Sequence, residues 1–346
     1  YLKCKNVPTL NRLDELCLSE KDFLAKYLGS PMSPVFIPVC ITYLVIFLVG
    51  VLGNSLTCAV ILRYRVMQTP TNFYLLSLAV SDLLVLLMGM PLEIYEMWQN
   101  YPFLLGEGGC YFKTFLFETV CFASILNVTA LSVERYVAVV HPLKVKHMTT
   151  RAHVKRVIIM LWVLSMLCAV PNTSLHGITV LSKFGKVFPR STICNLVKPT
   201  WLYNLIILIS TLAFFLLPML IISILYFLIG IRLHRERALT VVDTVSVLVV
   251  VFGFCWAPFH VDRLMWSYMD QSSDLHHRIY EPVHLISGVC FYLSSAINPI
   301  LYNLMSTRFR EMFSHVTCCS STWMRRSSSQ MTQRSTLSEK TVQNGH

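Results

Sequence analysis

The chain has 346 residues, of which 55% are hydrophobic and 14% are charged, and its formal net charge is +11. Soluble domains average about 45–50% apolar and about 25% charged residues, so this composition excludes an ordinary soluble enzyme. Abundant Phe, Tyr and Trp exclude a disordered or fibrous chain, and the basic residues are too diluted by apolar runs to form a nucleic-acid-binding stripe. The composition favours a protein embedded in a membrane.

Seven apolar stretches are long enough to cross a bilayer, which takes about 20 mostly apolar residues in a helix. In chain order, spans 1 to 7 cover residues 36–62, 71–97, 110–140, 154–170, 201–233, 241–269 and 281–305. A short amphipathic stretch, residues 308–316, follows span 7. The sequence therefore predicts an all-α membrane protein, a seven-transmembrane helix bundle with a short amphipathic eighth helix.

The distribution of charge between the loops predicts the orientation of the spans. Lys and Arg, counted with the residues that flank each span, are in modest excess on the loops after spans 1, 3 and 5 and on the tail. By the positive-inside rule, residues 1–35 form an extracellular segment, residues 36–316 the membrane domain with helix 8, and residues 317–346 a cytoplasmic, Ser/Thr-rich disordered tail. We expect a multi-pass protein of the plasma membrane. Acidic residues gather on the outer side, so an incoming cation would meet a relatively acidic face.

Four cysteines have predicted roles outside the bilayer core. Cys110 opens span 3 and Cys194 lies late in the second outer loop, so an oxidising exterior could join them and hold that loop over the bundle. Cys318 and Cys319 follow the amphipathic stretch on the inner side. Palmitoylation of these two residues would anchor the stretch to the inner leaflet.

Ionisable residues inside a span are functional candidates because they are costly to bury in hydrocarbon. Asp82 lies in the middle of span 2. The polar residues that could converge on it are Asn54, Ser124, Ser294, Ser295 and Asn298. Such an oxygen-rich cluster predicts either an allosteric sodium ion, the one cofactor that we consider, or an internal water network.

The inner end of span 3 carries Glu134-Arg135-Tyr136. An adjacent acid can pair with the arginine and hold it until another group displaces it. The alternative is that Glu134 and Arg135 are ordinary interface residues whose charged ends reach the aqueous phase.

Motifs of these kinds occur once in each span, together with the cysteine pair outside. They are Asn54, Asp82, Glu134-Arg135-Tyr136, Trp162, Pro218, Cys255-Trp256-Ala257-Pro258 and Asn298-Pro299-Ile300-Leu301-Tyr302. Over residues 36–316 this set resembles the rhodopsin-class (class A) G-protein-coupled receptors. The resemblance implies a membrane receptor rather than an enzyme, with heterotrimeric G proteins and the lipid bilayer as partners and no role for nucleic acid.

The resemblance also implies how the spans move on activation. Trp256 would form the floor of a ligand pocket, above a packing switch of Ile125, Pro218 and Phe252. Two tyrosines, Tyr226 and Tyr302, would swing toward Arg135. Pro258 and Pro299 remove backbone hydrogen bonds and create kinks about which the inner helix ends can move.

Several longer segments resemble neuromedin U receptors, and ghrelin and motilin receptors are similar but more distant. These segments include Thr69-Pro70-Thr71-Asn72, Pro171-Asn172-Thr173-Ser174 and Trp256-Ala257-Pro258-Phe259-His260. The resemblance implies a receptor for amidated neuropeptides of the neuromedin U and neuromedin S type, signalling through a Gq-class G protein, phospholipase C and calcium. A receptor for another short amidated or ghrelin/motilin-like peptide is the alternative.

The predicted ligand site contains acids but lacks the anchor of an amine receptor. Phe117 occupies the position where amine receptors carry Asp, whereas Glu118 follows it and Glu93 lies in the outer third of span 2. Two carboxylates in an apolar cavity suit the guanidinium groups of an arginine-containing peptide, and Arg263 offers donors to its C-terminal amide. The remaining predicted ligand-binding residues are His260, Trp256 and Phe291. The alternative is that Glu118 pairs internally and Glu93 is exposed at the helix mouth.

Other classes of protein fit less well. No span carries a protease-like constellation, and His141, His147 and His153 lack zinc-ligand spacing. Neither internal repeats nor matched broken helices indicate a transporter. Asn172-Thr173-Ser174 matches the glycosylation pattern, but it lies so close to the bilayer that we do not expect modification.

The inner loops and tail set the expectations for coupling. If each inner half-helix takes about 16 to 20 residues, residues 234–237 are almost the whole third inner loop, whereas neuromedin U receptors resemble one another in a longer basic loop. A coupling-defective, binding-only variant is therefore a further alternative. From Thr317 onward the chain has 12 Ser or Thr in 30 residues, which suit receptor kinases and arrestin.

Overall fold

The computed structural model describes residues 18–141, 150–183, 185–235, 240–269, 274–305 and 307–317. The helices are α1 Glu20–Leu28, α2 Phe36–Arg63, α3 Pro70–Leu84, α4 Met90–Trp98, α5 Gly106–Val140, α6 Arg151–Thr173, α7 Thr200–Thr211, α8 Leu217–Arg235, α9 Thr240–Tyr268, α10 Asp274–Met305 and α11 Thr307–Thr317. The strands are β1 His176–Thr179, β2 Ser182–Lys183, β3 Lys186–Val187 and β4 Ile193–Leu196. Cys318, Cys319 and the tail lie outside the described residues, as does the side chain of Tyr302.

These helices overlap every predicted span. Within the described part of the chain, six helical stretches are long and apolar enough to cross a membrane. They are Phe36–Arg63, Pro70–Trp98, Gly106–Val140, Arg151–Thr173, Thr200–Arg232 and Ile279–Leu301. Helix α9 covers the predicted span 6, and α11 covers the predicted amphipathic stretch. The predicted fold class, a helical membrane bundle, is confirmed.

Local sequence signals explain where the helices of spans 2 and 4 begin. Thr69 precedes span 2, and its hydroxyl accepts a hydrogen bond from the Asn72 backbone N–H at 3.3 Å, while Pro70 occupies the first helical turn. Thr150 caps span 4 in the same way, accepting from the His153 backbone N–H at 3.2 Å. These hydroxyls satisfy backbone donors that the first turn of a helix leaves without partners.

Spans 2 and 5 are each interrupted by a π-helical turn, which the sequence pattern did not predict. The turns cover Val85–Gly89 and Leu212–Leu216. Each stands just before a proline, Pro91 or Pro218. Proline cannot donate the usual helical hydrogen bond, and its ring clashes with the carbonyl four residues earlier, so the helix takes in one extra residue there.

The second outer loop forms two short hairpins, which the sequence analysis did not predict either. Strand β1 pairs antiparallel with β4, with Ile178 opposite Cys194, and β2 pairs with β3 at the tip. The predicted disulfide between Cys110 and Cys194 is present and ties β4 to the start of span 3. Helix α1 packs on this loop through Phe23, whose ring stacks on Phe188 at 4.8 Å. The loop is thereby fixed over the outer ends of the helices.

Candidate functional site

A cavity of about 550 Å³ lies between the outer ends of the spans, beneath strand β4. Its wall includes five of the seven residues predicted to bind the ligand, namely Glu93, Phe117, Glu118, Arg263 and Phe291. Spans 2, 3, 6 and 7 contribute these side chains, and the second outer loop contributes Cys194 and Asn195. The geometry therefore brings together residues that are up to about 200 positions apart in the chain.

Glu118 and Arg263 form a buried ion pair in this wall. Arg263 donates from Nη2 to Glu118 Oε1 at 2.6 Å and from Nη1 to Oε2 at 3.2 Å. The Glu118 side chain is only 3% exposed, and that of Arg263 is 11% exposed. Asn172 Nδ2 donates to Glu118 Oε1 at 2.9 Å, whereas the buried Asn172 Oδ1 has no hydrogen-bond partner in the described part of the chain. Glu118 is thus held by span 6 and span 4 together.

Glu93 has a different environment, because its partners are hydroxyl groups rather than a cation. Tyr43 donates to Oε1 at 2.8 Å, and Tyr292 donates to Oε2 at 2.7 Å. Gly288 makes this approach possible, since a Cβ atom there would lie 2.5 Å from Tyr43 Oη and 3.3 Å from Glu93 Oε1. Spans 1 and 7 thus orient the carboxylate, and its charge is not neutralised by Lys or Arg among the described residues.

Two further pairs of polar side chains line the cavity. Lys113 forms an ion pair with Glu96. His284 Nδ1 lies 3.1 and 3.2 Å from the two carboxylate oxygens of Asp262. No motif in the sequence marks either pair.

The apolar part of the site is a cluster of aromatic rings. The Phe117 ring centroid lies 4.9 Å from that of Phe291 and 5.6 Å from that of Phe259, and Phe259 and Phe291 stack at 5.3 Å. Trp256 packs on Phe259 and Phe291 with centroids 6.0 and 5.6 Å away and is not part of the cavity wall. The phenylalanines, not Trp256, therefore form the floor.

His260 also lies away from the cavity, contrary to its expected place in the ligand site. Its ring stacks on Phe215 at 4.5 Å, and Nδ1 is 3.3 Å from the hydroxyl of Thr211. The residue is 4% exposed and faces span 5. The adjacent Phe259 takes the inward position because consecutive helical residues point in directions about 100° apart.

The polar cluster in the middle of the bundle contains the predicted residues. Asn298 Nδ2 donates to Asp82 Oδ2 at 2.9 Å, and Asp82 is only 3% exposed. Ser124 Oγ donates to Ser81 Oγ at 3.1 Å, linking span 3 to span 2. Ser294 and Ser295 are both buried beside Asn298 in the same helix.

Asn54 adds an acceptor to this region. Its Nδ2 donates to the Ser295 carbonyl at 2.9 Å, whereas its buried Oδ1 has no hydrogen-bond partner among the described residues. The Ser294 hydroxyl donates to the Phe291 carbonyl at 2.6 Å. In the part of the chain that is described, no group of three or more His, Cys, Asp or Glu could hold a metal ion, so a cation here would rely on Asp82 together with Ser and Asn oxygens.

The inner end of span 3 differs from the expected pairing of adjacent side chains. Glu134 Oε1 accepts a hydrogen bond from the Thr71 hydroxyl at 2.8 Å, and Arg135 is exposed. Among the described residues, Glu134 and Arg135 make no ion pair within 4 Å. Tyr226 Oη lies 3.3 Å from Ser132 Oγ, one turn before Arg135. Span 2, rather than the neighbouring arginine, thus holds Glu134.

The predicted packing switch lies below the aromatic floor. Phe252 stacks on Trp256, with ring centroids 5.1 Å apart and planes inclined by 20°. Ile125 is 1% exposed, and Pro218 is buried. At the inner membrane edge the Tyr136 ring lies 5.9 Å from that of His141.

The sequence also leaves Tyr43, Asn172 and Tyr292 unmarked: Asn172 and Tyr292 line the cavity, and Tyr43 donates a hydrogen bond to Glu93. Asn172 lies in the segment Pro171-Asn172-Thr173-Ser174, and neither its resemblance to neuromedin U receptors nor its glycosylation pattern assigns a role to the Asn172 side chain. Tyr43 and Tyr292 carry no motif, and they face Glu93 only because of the packing of spans 1, 2 and 7.

Comparison with known proteins identifies the family. The family model described as "7 transmembrane receptor (rhodopsin family)" matches residues 53–302. Human neuromedin-U receptor 1 is 55% identical over 336 residues, covering 88% of this chain and 79% of the relative. Rat neuromedin-U receptor 2 is 50% identical over 325 residues, with 88% and 81% covered. The pyrokinin-1 receptor of Drosophila melanogaster is 33% identical over 361 residues, with 84% and 82% covered.

These matches agree with the helical bundle described above. The family consists of receptors that act with G proteins and not of enzymes, and the neuromedin-U receptors among its members imply a peptide ligand. The chain belongs to the rhodopsin family of G-protein-coupled receptors and is a multi-pass membrane receptor for a neuropeptide.

Proposed function

We propose that the receptor recognises amidated, arginine-containing peptides of the neuromedin U and neuromedin S type and signals through a Gq-class G protein, phospholipase C and calcium. The observation that carries this proposal is the buried Glu118–Arg263 pair in the wall of a cavity that also holds Glu93. The identity of 55% and 50% to two neuromedin-U receptors supports the same ligand class.

The Glu118–Arg263 pair suits a carboxamide better than a carboxylate. A carboxamide has an N–H donor for Glu118 and a carbonyl acceptor for Arg263. A free carboxylate lacks the donor and would be repelled by Glu118 in a largely dehydrated site. We infer that the pair receives the amidated C-terminus of the peptide.

Glu93 is better suited than Glu118 to bind a guanidinium group of the ligand. Its two tyrosine partners orient the carboxylate but leave its charge uncompensated, whereas Glu118 already has Arg263. A guanidinium can bind a carboxylate through two parallel hydrogen bonds. The three phenylalanine rings of the floor would take apolar side chains of the same peptide.

We propose that binding shifts an existing equilibrium toward a state in which the inner end of span 6 opens. Phe252 transmits the change from Trp256, with Ile125 and Pro218 beneath. The residues proposed to rearrange at the inner face are Glu134, Arg135, Tyr136, Tyr226, Asn298, Pro299 and Tyr302. The stack of Phe252 on Trp256 supports this route.

The cluster around Asp82 is proposed to hold an allosteric sodium ion. Its buried carboxylate, the hydroxyls of Ser124 and Ser295 and the amide oxygen of Asn298 supply the hard oxygen ligands that such an ion prefers. Ser294 is less suited, because its hydroxyl is bonded to a carbonyl. Sodium should lower agonist affinity in the wild type and not in Asp82→Asn. Equal salt effects in both would favour the internal water network.

We propose an extracellular N-terminus, a cytoplasmic C-terminus and a location in the plasma membrane. The Cys110–Cys194 disulfide supports this orientation, because such bonds persist in an oxidising exterior. Receptor kinases and arrestin would act on the tail, and palmitoylation at Cys318 and Cys319 would follow directly after α11. Labelling of an N-terminal epitope on intact cells tests the orientation.

The test of ligand and coupling uses cells that express the full chain with a surface epitope. Binding and calcium are measured with neuromedin U, neuromedin S, ghrelin and motilin, each neuromedin also as its free-acid form. We expect responses to the amidated neuromedins only. Binding without calcium would favour the binding-only alternative that the short third inner loop suggests. A response only to ghrelin or motilin, or none to any peptide at normal surface expression, would contradict the ligand assignment.

A further inference from the structure

Asp262 is a second carboxylate of the cavity that lacks a permanently cationic partner. We propose that Asp262 and the aromatic rings beside it form a separate subsite for a second guanidinium group of the peptide, distinct from the one at Glu93. This inference rests on the proposed function and extends it from one basic side chain in the ligand to two.

The charges that line the cavity do not balance. Four carboxylates and two permanent cations contribute to its wall. Each cation is paired with one carboxylate, as Lys113–Glu96 and Arg263–Glu118. Glu93 and Asp262 remain without a Lys or Arg partner among the described residues. A ligand with two cations would therefore neutralise both.

Asp262 has two polar partners, the Tyr280 hydroxyl and the His284 ring, and the histidine can be displaced. His284 Nδ1 lies 3.1 Å from Oδ1 and 3.2 Å from Oδ2, so one ring nitrogen serves both oxygens. The histidine side chain is 62% exposed, whereas that of Asp262 is 12% exposed. A neutral imidazole supplies a hydrogen bond but no charge, and a guanidinium supplies both, through two donors. Because the ring is exposed, its movement toward solvent uncovers little buried surface.

The aromatic rings at this position favour guanidinium over ammonium. The Tyr280 ring stacks on His284 with centroids 5.4 Å apart and planes inclined by 19°. The Trp266 ring also contacts Tyr280, with centroids 5.4 Å apart. A guanidinium is planar, is weakly hydrated and stacks on aromatic faces, whereas an ammonium is strongly hydrated. These three rings and the Asp262 side chain all line the cavity.

The two subsites stand on different helices and are held differently. Glu93 belongs to span 2 and is fixed by hydroxyls from spans 1 and 7. Asp262 belongs to span 6, next to Arg263, and its histidine partner, His284, belongs to span 7. Two anchors on helices that face one cavity would fix the orientation of an entering peptide, and they would discriminate against peptides with a single basic side chain.

A double-mutant cycle between receptor and ligand tests the second subsite. The full-length receptor is expressed as wild type, Asp262→Asn and Glu93→Gln, and binding is measured for neuromedin U and for analogues in which one arginine at a time is replaced by the neutral citrulline. We expect Asp262→Asn to weaken binding of the unmodified peptide about 10- to 100-fold, with no further loss for citrulline at one position. Glu93→Gln should behave in the same way at a different position.

Two more variants make the outcome independent of whether Asp262→Asn reaches the surface. His284→Arg would fill the subsite from within the receptor. We expect it to lose peptide affinity to a similar extent as Asp262→Asn, with no further loss when citrulline replaces the same arginine of the peptide. Glu107→Gln removes an exposed outer acid and should leave the peptide affinity within about twofold, because exposed charges are largely screened.

Three outcomes would overturn the proposal. His284→Arg could bind the peptide with wild-type affinity, the losses could be additive at every ligand position, or Asp262 and Glu93 could both couple to the same arginine. Absence of binding to the wild type would overturn the proposed function as well, so the two failures are distinguishable.

Discussion

Arg263 and Glu118 lie 145 positions apart in the chain and meet through two contacts, of 2.6 and 3.2 Å, that join span 6 to span 3. Because both side chains are buried, each depends on the other for compensation of its charge. A ligand group that inserts between them necessarily alters how these two helices are held together at their outer ends. The pair would therefore couple occupancy of the cavity to the relative position of span 6, the helix that we propose to open on activation.

Replacement of Glu118 by Gln should lower affinity for an arginine-containing amidated peptide by roughly 2–5 kcal/mol. Part of the loss comes from Arg263, which would be buried without an anion. The double variant Glu118→Gln/Arg263→Gln removes both charges, so we expect its thermal stability and surface expression to recover while peptide binding stays weak. Radioligand binding and a thermal-shift assay measure the two quantities. Full recovery of affinity in the double variant would show that the pair serves structure alone.

Asn172 should contribute to binding through its hydrogen bond to Glu118. Hydrogen bonds to charged groups contribute about 1.5–3 kcal/mol, so Asn172→Ala should weaken peptide binding about tenfold or more. Ser174→Ala is the matched control, since it also removes the glycosylation pattern but leaves the Asn172 amide in place. Because the Asn172 amide is buried, we expect this control to bind as the wild type does, and we expect glycosidase treatment to leave the mobility of the wild type unchanged. Equal losses in both variants would argue for a glycan.

Gly288 should tolerate no side chain. The Cβ atom of Gly288→Ala would lie 2.5 Å from Tyr43 Oη, which must then leave Glu93. We expect a several-fold loss of peptide affinity, with no additional loss in Gly288→Ala/Tyr43→Phe, because both changes remove the same contact. Gly89→Ala provides the control, since its nearest neighbour would be Tyr292 Oη at 3.9 Å. Additive effects of the two changes in a binding assay would contradict this explanation.

His176 in strand β1 should make the outer loop sensitive to acid. Burial lowers the pKa of His176, and a hydrogen bond to the Asn172 carbonyl at 2.9 Å only partly opposes this effect. The neutral ring is therefore the form that the folded loop accepts. As the pH falls below about 6.5, the unfolded state binds the proton more readily, so the stability contributed by this residue is lost toward acid pH.

The difference between two melting curves isolates this effect from other titrations. Between pH 7.5 and pH 5.5 the melting temperature of the wild type should fall further than that of His176→Asn, which keeps a donor near the Asn172 carbonyl but does not titrate. Parallel decreases in the two proteins would rule out His176 as the sensor.

Much of the bundle was predictable, because a membrane span is a property of a contiguous segment. The positions of the spans follow from runs of apolar residues, and the cluster around Asp82 follows from polar residues within them. The helices extend beyond several of the predicted limits, as with Arg151–Thr173 for the predicted residues 154–170. The strands of the outer loop were not predictable in this way. They are short, and their pairing is defined by the disulfide and by contact with the helices beneath.

Side-chain partners were harder to predict than positions. Glu118 and Arg263 were assigned separately to the ligand, whereas in the structure each is the other's partner. Glu134 was expected to pair with its neighbour Arg135, but the packing of span 2 supplies Thr71 instead. His260 and Phe259 are adjacent in sequence, and only the rotation of span 6 decides which of them reaches the cavity. Such contacts depend on helix rotation, which a single sequence does not report.

The π-helical turn at Val85–Gly89 separates Asp82 from Glu93. Eleven residues of uninterrupted α-helix would advance by about three full turns and bring both carboxylates to nearly the same side. The extra residue in the turn offsets everything beyond it by about a quarter of a revolution. The carboxylates of Asp82 and Glu93 therefore point in different directions from the same span. A single-residue insertion or deletion in that turn would bring Glu93 against other neighbours, while Asp82 would keep its present ones.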